Sequence, residues 1–199
     1  MASSDKVRTL TVLLASVALG SCEHAWPASS DGGTIGVAIT RSDAGADSGP
    51  DGSAAVFVAV NQDFAGYRSW TSFQITGGGQ NPRTIYYNHA PPHGSQTFPV
   101  GTMIVKELVS TTAPAGLEID AMVQRGGDYN AIDGGAPGWE WFGLALSADG
   151  GGPATIQWRG TGAPSTGTYG GGNIGCTGCH AVAVSNDYVQ SPQLQLTNF

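Results

Sequence analysis

The chain has 199 residues, 31 of them glycine, with 12% charged residues and a net charge of −7. This length suits one domain with added segments, and glycine-rich, charge-poor composition points to a loop-rich β protein rather than a helical one. Eight basic residues against fifteen acidic ones exclude a nucleic-acid-binding surface, which needs clustered Lys and Arg.

At the N-terminus Lys6 and Arg8 precede an apolar run, Thr9 to Leu19, too short to span a bilayer as a stable helix. Leu19-Gly20-Ser21-Cys22 then places small residues before a cysteine. Residues 1–21 read as a secretory signal ending in a bacterial lipobox, so the expected product is a periplasmic lipoprotein anchored to the membrane through lipidated Cys22. The competing reading is an ordinary signal peptide with a chance cysteine. Residues 22–52 are small, polar and acidic, and read as a flexible tether. Residues 53–199 read as the folded domain. Past residue 21, Lys106 is the sole lysine.

Within the domain, Phe64, Tyr67 and Trp70 have spacing close to one helical face. Arg83 to Tyr87, Thr102 to Val109, Glu118 to Gln124, Trp139 to Leu146 and Ala154 to Arg159 read as strands. Strands in series joined by turns predict a mainly β fold: an antiparallel meander of about five strands with short helices. Alternation puts Ile104, Lys106 and Leu108 on one face, and Met103, Val105 and Glu107 on the other. It likewise groups Asp120 with Glu118, Met122 and Gln124, a set that also fits a solvated face. Lys106 has its own bland reading, an edge-strand lysine reaching water. Gly160 to Gly175 reads as a flexible segment, and the tail from Ala181 to Phe199 as a short helical turn with an extended end.

Cys176-Thr177-Gly178-Cys179-His180 is a C-x-x-C-H sequence, the attachment signal for haem c. Cys176 and Cys179 would each form a thioether to a haem vinyl group, and His180 would be the proximal iron ligand. Zinc is a weaker reading, because His180 directly follows Cys179 and there is no second Cys/His pair. A Cys176–Cys179 disulfide is a further alternative in an oxidising compartment. Export suits the haem reading, and lipidation accounts for the third cysteine, Cys22. For the sixth iron position the remaining candidates are His24, His89, His93, Met103 and Met122. A capped iron would make an electron carrier, and an open one a ligand-binding centre.

Tyr67-Arg68-Ser69-Trp70, Arg83-Thr84-Ile85-Tyr86, Phe98 to Thr102, Val105-Lys106-Glu107-Leu108, the Trp139 strand, Cys176 to His180 and Asp187-Tyr188-Val189 follow one another as in the cytochrome P-460 family. The chain resembles that family from about residue 62 to about residue 190. The resemblance implies an antiparallel β domain packing one covalent haem c, usually as a homodimer, with an open distal site. It implies that Lys106 is cross-linked through Nζ to a haem meso carbon, which needs a neutral amine. An apolar setting among Ile104 and Leu108 is expected to lower its pKa. It further implies that Asp120, where hydroxylamine-oxidising members carry Glu, manages protons, and that Arg83 lies near the distal pocket. Two functions follow. One is an oxidoreductase that turns hydroxylamine into nitric or nitrous oxide and passes electrons to a soluble c-type partner. The other is a non-catalytic nitric-oxide-binding protein like the β-type cytochromes c′, or an electron-transfer cytochrome.

Overall fold

A computed structural model describes residues 55–77, 80–110, 116–132, 134–146, 152–162 and 175–199. The signal, lipobox and tether readings therefore lie outside the described residues, as does most of the segment from Gly160 to Gly175.

The fold is a six-stranded antiparallel open sheet in simple sequence order: β1 (Thr71–Gly77), β2 (Gln80–Tyr87), β3 (Met103–Val109), β4 (Leu117–Gln124), β5 (Trp139–Ala145) and β6 (Thr155–Gly160). The five expected strands are present as β2 to β6. The sequence reading missed β1, an edge strand on which Phe73 and Ile75 are only half-buried. The stretch expected to be helical folds instead as two short 3-10 turns, Asn61–Phe64 and Tyr67–Ser69, broken by Gly66 at φ 70°. The aromatic spacing still served packing, since Phe64 and Tyr67 are buried.

Alternation along the strands builds two cores, one on each face. Met103, Val105, Ile119, Ala121, Val123, Phe142 and Leu144 face Ala59, Phe64 and Tyr67. Ile85, Ile104, Met122, Trp139 and Trp141 face the other way, against Val189, Leu194 and Leu196 of the C-terminal tail. Coverage of both faces explains why β5 is buried along nearly its whole length. The tail is not extended. It follows the short helix α1 (Gly175–His180) as a series of 3-10 turns, Ala181–Asn186, Pro192–Leu194 and Leu196–Asn198. Buried Asn186 organises them by donating to Val189 O and Leu194 O and accepting from Leu196 N–H at 2.7 Å. The fold therefore lays the cysteine motif over the face that carries Lys106.

Candidate functional site

Strand register builds the floor of the site. Phe73, Ile85, Lys106, Asp120, Gly143 and Trp158 are successive partners across all six strands and share one face. The neighbouring row contains Ile104, Met122 and Trp141. Gly143 leaves room for a neighbour's ring: a Cβ there would lie 2.0 Å from Trp158 Nε1. The floor is thus apolar and indole-rich, with one charged pair at its centre.

That pair corrects the expectation for Lys106. Its Nζ lies 2.8 Å from Asp120 Oδ2, with each side chain about a quarter exposed. Burial alone would push the Lys106 pKa down. The charge of Asp120 and its hydrogen bond, with smaller contributions from Glu118 and Cys176, outweigh burial and raise it. Lys106 is therefore an ammonium here, because its cross-strand partner is a carboxylate rather than another aliphatic. The solvated-face reading of β4 also fails: Glu118, Met122 and Gln124 are buried.

The roof is α1 and the turn after it. His180 is half-buried by its own surface, and its Nδ1 lies 2.7 Å from Tyr188 O. A carbonyl can only accept, so Nδ1 is the donor and Nε2 keeps its lone pair, the tautomer that a metal-ligating histidine needs. The ring stands 4.7 Å from that of Trp141, whose Nε1 donates to Thr177 Oγ1 at 3.1 Å. Desolvation lowers the His180 pKa to about 4; the Tyr188 hydrogen bond opposes this, and the charges of Lys106 and Asp120 act on it in opposite senses. The charges of Lys106 and Asp120 thus act on His180, and that of Cys176 acts on Lys106.

The two motif cysteines differ. Cys176 is not part of a disulfide, so the Cys176–Cys179 bridge considered from the sequence does not form. Cys179 is disulfide-bonded, and a thioether at the same sulfur requires it as a thiol. Gln190 Nε2 donates to Cys179 O at 2.5 Å, tying the end of α1 to the tail.

Arg83 occupies the same face, opposite Leu108 and so diagonal to Lys106 in the sheet. Met122 is buried on this face, whereas Met103 packs into the opposite core. His89 is in a loop with Nε2 3.2 Å from Thr102 Oγ1. His24 and Cys22 lie outside the described residues. Among the described residues no cluster of three His, Cys, Asp or Glu is placed to hold a metal ion. Haem makes a smaller demand on the chain, since the porphyrin supplies four ligands and the protein need supply only one.

Sequence reasoning missed three contributors: buried Glu118, the Tyr188 carbonyl and Trp158. Alternation put Glu118 on the right face, but nothing local showed that the face would be covered. No protein-family model matches the chain, and no curated protein matches it.

Proposed function

We propose that this chain is a c-type haem protein whose haem would be held by Cys176 and, once its disulfide is reduced, by Cys179, with His180 as the iron ligand. The observation that carries the reading is the His180 imidazole, which directly follows the second cysteine and is held through Nδ1 so that Nε2 stays unprotonated. An apolar, tryptophan-lined face beneath the helix suits a large planar ring. The haem, when bound, supplies an iron that can bind small nitrogen ligands and accept electrons.

For the reaction we propose hydroxylamine oxidation to nitric or nitrous oxide, with electrons leaving to a soluble c-type acceptor. Loss of electrons from hydroxylamine also releases protons, so a proton acceptor near the ligand, such as a carboxylate, speeds the reaction. Asp120 is the residue proposed for that work, with buried Glu118 two positions away on the same face. Arg83 is proposed to orient the ligand. Lys106 is the proposed third attachment to the haem. Nζ, now 2.8 Å from Asp120 Oδ2, would have to give up its proton, and joining it to a ring carbon would displace that carbon's hydrogen as a proton and pass two electrons to an external oxidant such as a peroxide. The proposed setting is the periplasmic side of a membrane, reached through a signal at residues 1–21 and lipid on Cys22, with the domain acting as a homodimer.

The Lys106–Asp120 ion pair favours a second reading. While the pair persists, the amine is not a nucleophile and the carboxylate is engaged, which suits a protein that binds nitric oxide or carries electrons without turnover. One spectrum and one assay separate the two. With a cross-link the ferrous Soret band is strongly red-shifted and returns to an ordinary c-type position in Lys106→Leu. Hydroxylamine turnover with a dye acceptor then falls at least tenfold in Asp120→Ala. An ordinary c-type spectrum in the unsubstituted protein would remove the cross-link, and absence of turnover would leave the binding protein.

A further inference from the structure

The turn that supplies the carbonyl for His180 is itself unusual. Asp187 (φ 50°, ψ 45°) and Tyr188 (φ 63°) are consecutive non-glycine residues in the left-handed region. Side chains disfavour this region, so two such residues in a row need to be held by something outside the turn. Local bonds close the reversal: Asp187 N–H donates to Val184 O at 3.2 Å and Tyr188 N–H to Ala183 O at 2.9 Å. They do not fix where the reversal sits on the sheet.

The Asp187 carboxylate does. Oδ2 accepts Phe98 N–H at 2.8 Å and lies 3.4 Å from Gln124 Nε2, and Oδ1 accepts Trp139 Nε1–H at 3.2 Å. Phe98 and Trp139 are buried and pack edge to face, 5.9 Å apart, so the donors belong to a rigid part of the core. Trp139 and Gln124 are cross-strand partners on β5 and β4. One side chain thus joins the sheet to the turn, and the next residue's carbonyl holds Nδ1 of His180 at 2.7 Å.

We propose that Asp187 is a positioning residue for His180: its carboxylate pins the Asp187–Tyr188 reversal to β4, β5 and the Phe98 turn, which fixes the tautomer and orientation of the imidazole. Its importance for iron chemistry rests on the proposed role of His180 as proximal ligand. A donated Nδ1–H also makes the opposite nitrogen a more basic ligand.

The test uses the full chain, exported and matured with haem, as the parent protein, Asp187→Asn and Asp187→Gly. Glycine accepts the left-handed backbone but has no carboxylate, and asparagine keeps an acceptor and tolerates the same backbone. In Asp187→Gly the ferrous iron–histidine stretching frequency drops and the reduction potential rises, while Asp187→Asn stays closer to the parent on both. Parent values of both in Asp187→Gly, even with lowered urea resistance, would reduce Asp187 to a structural role and overturn the proposal. If Asp187→Gly does not accumulate, Asp187→Ser, too short to reach both Phe98 N–H and Trp139 Nε1, is judged by the same criterion. If the parent carries no covalent haem, the haem reading fails. The positioning inference is then decided on the same chains by ¹⁵N NMR: the His180 Nδ1–H signal is present in the parent and lost in Asp187→Gly, or it persists and the inference falls.

Discussion

At the scale of single residues, the environment of His180 has a consequence for acid stability. Burial holds its pKa at about 4, below the ordinary 6.5, so between those values the unfolded chain binds a proton that the folded chain refuses. Stability linked to this group is therefore fully present above about pH 6.5, declines as the pH falls and levels off below about pH 4. The loss amounts to roughly 3 kcal/mol. Urea unfolding of the chain prepared without haem attachment, followed from pH 7.5 to 4, is expected to show this slope, and His180→Gln to flatten it. The Lys106 site follows the same logic with the opposite result, because a carboxylate partner reverses what burial alone would do. Alternation put Lys106 on one face with Ile104 and Leu108, whereas its protonation state depends on Asp120, fourteen residues away in the chain and directly opposite in the sheet.

Among the elements, β5 and β6 are joined by more than backbone bonds. Glu140, almost wholly buried, receives Arg159 through two oxygens at 2.7 Å each and Arg125 at 3.2 Å. Arg159 also donates to Ala59 O, and its guanidinium lies 4.9 Å from the centre of the Phe142 ring. Glu140→Ala would take the shared carboxylate from two partly exposed guanidinium groups, with an expected cost of roughly 1–3 kcal/mol in urea unfolding. A haem spectrum unchanged in that variant would place the network outside the site. The central strands were readable because at least one face of each carries aliphatic or aromatic side chains at period two. β1 was not, although half-buried Phe73 and Ile75 alternate with exposed Ser72 and Gln74, because so short an alternation with only two apolar residues is a weak signal. The Phe64–Trp70 stretch misled because a spacing of three fits a 3-10 turn as well as an α-helix, and Gly66 divides it.

For the whole molecule, the acidic surface and the proposed N-terminal lipid bear on placement rather than on fold. Cys22→Ser is expected to release the protein from the membrane fraction while leaving haem content unchanged; continued membrane association would point to an uncleaved signal instead. Among the described residues no helix is long and apolar enough to cross a membrane.

The sequence alone determined the C-x-x-C-H motif, which side chains of each central strand share a face and the mainly β class, because these depend on residue identity and short-range periodicity. Only the tertiary structure decided that Lys106 meets Asp120, that Glu118 is buried, and that Tyr188 holds Nδ1 of His180. Each of these depends on strand register or on which distant segment covers a face, and the free energy that settles both comes from contacts between residues far apart in the chain.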